Sequence, residues 1–118
     1  MQTSSKKLSK KYRQKIDRQF INLLADLNNP SECQSFFTSF LTKTEQNVFT
    51  KRLGIIWMLK QEFSYKEIKK QLNVSSATIS SIAKQMDDKG TQLLVKKLEI
   101  DDWAEGWTER IFGFFSFK

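Results

Sequence analysis

Pro30 is the sole proline of the chain, and only four glycines accompany it. Strand-rich folds reverse direction often and rely on such residues at their turns, so this sequence is short of the means to build a sheet. Apolar spacing points to the alternative. Leu8, Tyr12, Ile16 and Phe20, then Leu23, Leu24 and Leu27, recur at three- and four-residue intervals, the period of one helical stripe. Asn28-Asn29-Pro30 ends that stripe, because proline cannot continue the hydrogen-bond ladder. Ser31 is placed to cap a short second helix carrying Phe36, Phe37, Phe40 and Leu41. Thr42-x-x-Glu45 reads as a capping box. It opens a long helix with Val48, Phe49, Leu53, Ile56, Leu59 and Phe63 on one side. Ser64 and Ser75 are expected to cap a fourth and a fifth helix, and Gly90 to separate that unit from a C-terminal part. The chain reads as all-α, with about six helices.

A chain of 118 residues, 39% of them apolar, can bury one core. Lys and Arg number 20 against 13 Asp and Glu, and the net charge of +7 favours a polyanionic partner. There is no His, and Cys33 is the only cysteine. A His-based triad, a His/Cys zinc site and an intramolecular disulfide are thereby excluded. The acid pairs Asp87-Asp88 and Asp101-Asp102 sit where helix caps are ordinary, and adjacent helical side chains point apart, so neither makes a catalytic dyad. The expectation is a non-enzyme with no cofactor. Its longest apolar run, Leu53 to Leu59, is too short to span a bilayer. The basic N-terminus lacks the apolar stretch of a secretory signal, and a lone cysteine fits a reducing compartment. These features give the expectation of a soluble, cytoplasmic protein.

Charge is unevenly placed. Residues 1–20 carry Lys6, Lys7, Lys10, Lys11, Arg13, Lys15 and Arg18 against Asp17 alone. Residues 1–7 read as a basic disordered arm, which either neutralises phosphates or merely keeps the chain soluble.

The most informative stretch is residues 64–86. Ile68 and Leu72 face inward from one short helix, Val74 plugs a tight turn, and Ile79, Ile82 and Met86 line the inner side of a second. Asn73 falls where a positive φ is needed, the next-best residue there after glycine. Ser75 caps the second helix. This is a helix-turn-helix pattern, whose second helix enters the major groove by its N-terminal end. On the outer face Ser76, Ala77, Ser80 and Ser81 are small, with Lys84 one turn on. Together with Ser75 and Thr78 they make the candidate base-reading surface, hydroxyls donating or accepting and Ala77 suited to a thymine methyl. Lys66, Lys69 and Lys70 on the preceding helix are placed to meet phosphates. No acid lies on that face between Ser75 and Gln85.

Leu41-Thr42-x-x-Glu45, the long helix after it, Glu67 to Leu72, and Ala77-Thr78-Ile79-Ser80 resemble the Trp repressor superfamily, most closely its YerC/YecD-type members. The resemblance covers roughly residues 8–86. It implies an intertwined homodimer presenting two reading heads to two-fold double-stranded DNA, and a repressor-like transcriptional regulator. On that pattern residues 8–41 are dimerisation helices and residues 42–90 the long helix plus the reading head. The founding member closes its tryptophan pocket with an Arg from the long helix and an Arg, a Gly and a Ser from the recognition helix. The matching positions here are Lys51, Ser81, Ile82 and Gln85. Ser81 cannot clamp a carboxylate through paired charged donors, and Ile82 fills the volume that Gly leaves for an indole. Tryptophan is therefore not expected as an effector, and any other effector is unspecified.

Residues 91–118 lie outside the resemblance. Trp103, Trp107, Ile111 and Phe115 are spaced by four, and Asp101 or Asp102 would begin the helix that carries them. Such an aromatic stripe packs into a dimer core, docks a partner protein or lies on a membrane surface. Its acidic polar face opposes anionic lipid. The alternative function is a helical protein-interaction module that uses this segment. The whole chain holds ten Phe, three Trp and two Tyr, a surplus that suits a homodimer interface.

Overall fold

A computed structural model describes residues 7–105. Of the aromatic stripe only Trp103 falls within that range; the expectations for Trp107, Ile111 and Phe115, and for residues 1–6 of the basic arm, lie outside the described residues. The described chain forms six helices and no strand: α1 Lys10–Asp26, α2 Pro30–Phe40, α3 Lys43–Lys60, α4 Tyr65–Leu72, α5 Ser76–Ala83 and α6 Lys89–Glu105. The all-α expectation and its helix count are met. The chain divides into two compact units, residues 1–47 and 48–118, with the division inside α3.

In the first unit Ser9 caps α1 by accepting from the Tyr12 amide at 3.3 Å. α2 is capped differently from the expectation for Ser31. Asn29 is the N-cap, its side chain accepting from the Glu32 amide at 2.9 Å, and Pro30 occupies the first turn. Proline ends one helix yet suits the start of the next, where its missing N–H would have no partner and its fixed φ is already helical. Phe20 of α1 meets Phe36 and Phe40 of α2 with ring centroids 6.1 and 5.6 Å apart. Thr42 and Glu45 form the capping box: the Thr42 amide donates to Glu45 Oε1 at 2.8 Å, and the Glu45 amide to Thr42 Oγ1 at 3.1 Å. Gln46 Nε2 then donates to the carbonyls of Thr38 and Leu41, which the end of α2 leaves without intrahelical partners. Neither α1 nor α2 contains a buried residue.

The core belongs to the second unit. Ile55, Ile56, Trp57 and Met58 are all buried, so α3 is enclosed on every side there rather than along one stripe. Phe63, Ile68 of α4, Ile79 and Ile82 of α5, and Val95 of α6 complete the cluster. Val48, Phe49 and Leu53, expected on the same buried side as Ile56, are exposed. The turn after α3 holds a left-handed residue, Glu62 at φ 65°, with Phe63 N–H donating to the Met58 carbonyl and Glu62 N–H to the Leu59 carbonyl. That pairing returns the chain sharply and tucks Phe63 against the core.

Three further expectations change in detail. Met86 lies beyond α5, in the turn before α6, although it does pack on the core. Gly90 separates nothing, being in the first turn of α6. Asp101 and Asp102 are inside α6 rather than at a helix start. Among the described residues no helix is long and apolar enough to cross a membrane.

Candidate nucleic-acid interface

The helix-turn-helix is built by two caps and one turn. Ser64 and Glu67 form a second reciprocal capping box, Glu67 N–H to Ser64 Oγ at 3.1 Å and Ser64 N–H to Glu67 Oε1 at 2.8 Å. This start aligns Ile68 toward the core, fully buried, and leaves Lys66, Lys69 and Lys70 exposed on the other side. Asn73 ends α4 in the left-handed region, φ 54° and ψ 58°, as its position in the sequence required. Val74 is half-buried against the core. Two residues after Asn73, Ser75 accepts from the Thr78 amide at 3.1 Å and starts α5.

Helical periodicity then divides α5 into two faces. Ile79 and Ile82 are buried, three residues apart. Ser76, Ala77 and Ser81 are exposed, as is Lys84 just past the helix end, whereas Ser80 is half-buried. Ser75 and Thr78 are exposed but occupied with each other, their hydroxyl oxygens 2.9 Å apart. That pairing fixes the N-terminal end of α5.

Lys66, Lys69, Lys70 and Ser76 come together around an open groove of about 590 Å³, with Tyr65, Asn73 and Val74 completing its lining. Three ammonium groups and no carboxylate line it, so its field is positive. Ala77, Ser80 and Ser81 on α5, and Lys84 just past its end, are not part of the groove lining. Tyr65 belongs to the lining and was not singled out from the sequence; its place at the first position of a capped, lysine-bearing helix was the available signal.

The four positions matched to a tryptophan pocket have other surroundings. Ile82 is 5% exposed and part of the core. Ser81 and Gln85 are exposed. Lys51 of α3 donates from Nζ to the main-chain oxygen of Asn73 at 3.1 Å, a link between elements that no short-range spacing could announce. Among the described residues no group of three or more Cys, Asp or Glu is gathered as a metal site.

Comparison with protein families matches residues 15–98 to the Trp repressor protein family. No curated protein and no solved structure matches the chain. The matched span contains α2 to α5 complete, including both helices of the helix-turn-helix and the turn between them. The chain therefore belongs to the Trp repressor family, a family of helix-turn-helix DNA-binding transcription regulators rather than of enzymes.

Proposed function

We propose that this protein is a sequence-specific, repressor-like transcriptional regulator that inserts the N-terminal half of α5 into the major groove. One observation carries the reading. The small, exposed Ser76 and Ala77 begin α5 directly beside the acid-free groove lined by Lys66, Lys69 and Lys70. Small side chains let a helix approach base edges, and neighbouring ammonium groups hold the flanking phosphates. Ser80, Ser81 and Lys84 extend the contact along α5. The functional form is a homodimer, so that two such heads address a two-fold site. The partner is double-stranded DNA, and the setting of such work is the cytoplasm. Tryptophan is not an effector: Ile82 occupies core volume, and Ser81 offers a neutral hydroxyl where paired charged donors would be needed to hold a carboxylate.

The test is selection of bound duplexes from a randomised pool, followed by titration of the best duplex and of random DNA across salt. Lys69→Ala should weaken both alike and lower the salt slope by about one. Enlarging Ser76 and Ser80 together should instead change which duplex is preferred, by about 1–3 kcal/mol per disturbed base pair. Millimolar tryptophan should leave every affinity unchanged. Equal losses on all sequences for both kinds of variant would move the reading surface elsewhere, and tightening by tryptophan would restore the amino-acid-sensing alternative.

A further inference from the structure

We propose that Lys51 is a positioning residue for DNA reading: its ammonium holds the turn between α4 and α5 against α3 and so sets the attitude of α5. This rests on the proposal that α5 reads DNA. The bond from Lys51 Nζ to the Asn73 oxygen spans 22 residues of sequence. Its acceptor is well chosen for leverage. Asn73 is the left-handed residue at which the chain leaves α4, with its own N–H tied back to the Lys69 carbonyl at 2.9 Å. Two residues later Ser75 caps α5. Whatever fixes the Asn73 peptide therefore fixes the start of the reading helix.

A second contact on the same face of α3 supports the assignment. Gly54 lies three residues after Lys51, nearly one helical turn. A methyl group built on Gly54 would stand only 3.0 Å from Leu72 Cδ1, so the last turn of α4 rests directly on the backbone of α3. Gly54 provides a flat seat for Leu72, and Lys51 a polar peg for the residue that follows it. Together they restrain the corner in position and in rotation, a combination that buried apolar contacts alone, being non-directional, supply less well. The bond is charge-assisted, which makes it stronger than an ordinary one between neutral groups. An ammonium committed to a main-chain carbonyl is also not aimed at a phosphate. Lys51 thus differs in kind from Lys66, Lys69 and Lys70, which line the open groove.

The distinction can be measured on the full chain. Lys51→Met keeps most of the aliphatic stem and removes the donor; Lys51→Leu, shorter and also without a donor, makes the same comparison should the Met variant fail to fold; Lys51→Arg keeps a charged donor. Each is titrated with the best duplex selected by the wild type and with random duplex, across salt, and amide exchange is followed in the DNA-free protein. The expected result is a loss of about tenfold on the selected duplex for Lys51→Met, the scale of one charge-assisted bond. Affinity for random DNA and the salt slope should stay at wild-type values, the bonded amides of Asn73, Thr78 and Ile79 should exchange faster, and Lys51→Arg should recover the selected duplex. Equal losses on both DNAs with a salt slope lower by about one would make Lys51 a phosphate contact and overturn the assignment. Met and Leu variants that match the wild type in both affinity and exchange would overturn it as well. If the wild type binds no duplex at all, the DNA-reading proposal falls and takes this role with it, an outcome distinct from either of those.

Discussion

At the scale of single residues, local hydrogen-bonding side chains determine where helices begin, and one of them is titratable. Glu45 accepts from the Thr42 amide while Thr42 Oγ1 accepts from the Glu45 amide. The backbone hydrogen bond from Thr42, then that residue's side chain, hold the Glu45 carboxyl below its ordinary value. A folded-state pKa lowered in this way contributes stability that is present above the unfolded value and lost as pH falls through the folded one. The start of α3 should accordingly loosen only on the acid side of the usual glutamate range. NMR titration of Glu45 checks this directly: Thr42→Ala should return its pKa toward the ordinary value, and an unchanged titration would mean the box is not formed in solution. Residues of this kind were legible in the sequence because the chemistry is local. Thr42 with Glu45, and Ser64, Asn73 and Ser75, announce themselves by side-chain type and spacing. Ser31 was misread for a local reason too, since Asn29 and Pro30 together make a better helix start than serine one residue later.

At the scale of elements, the decisive feature of the helix-turn-helix is the left-handed turn at Asn73. Its φ of 54° is accessible to glycine without cost and to asparagine at little, but excludes β-branched residues. Asn73→Gly should therefore leave both stability and DNA affinity close to wild type, because the acceptor of Lys51 is a main-chain oxygen that survives the change. Asn73→Val should cost about 1–2 kcal/mol in urea unfolding, and more in DNA affinity than that loss of stability explains, because α5 starts two residues on. Unchanged DNA binding by the Val variant would show that the turn's geometry does not control the helix. Element identities were readable from three- and four-residue spacing, but element surroundings were not. One-stripe reasoning placed Val48, Phe49 and Leu53 on a buried side with Ile56, whereas α3 is enclosed all round at residues 55–58 and open before them. Enclosure depends on α4, α5 and α6 arriving from elsewhere in the chain, as does the bond from Lys51 to Asn73. Gly90 misled for the opposite reason. A single glycine costs a helix only about 1 kcal/mol, and nothing lies within 4 Å of where its side chain would be, so α6 runs through it.

At the scale of the whole molecule, the two units are unequal, and the inequality argues for a second copy. Every buried apolar residue of the described chain belongs to residues 48–118, and α1 and α2 have none. Yet α1 carries Tyr12, Ile16 and Ile21 at 62%, 51% and 62% exposure, and Phe40 of α2 is 60% exposed. A helix must bury its apolar stripe against another element to persist, since short helices are marginal in water by themselves. The stacked rings of Phe20, Phe36 and Phe40 cover only part of that surface. A second copy offering the same stripe would cover it symmetrically, and closed two-fold pairing is the commonest way a soluble chain resolves such a face. The high positive charge of α1, from Lys10, Lys11, Arg13, Lys15 and Arg18, opposes that pairing through self-repulsion, so raising the salt concentration should strengthen the dimer while weakening its hold on DNA. Sedimentation at micromolar concentration should therefore give a dimer, more firmly so in high salt. Tyr12→Lys with Ile16→Lys should give a monomer whose α1 and α2 exchange their amides freely while residues 55–58, enclosed by their own unit, remain protected. A wild-type chain that sediments as a single monomer at micromolar concentration in any salt would refute the pairing, and would leave α1 to be covered by a different protein.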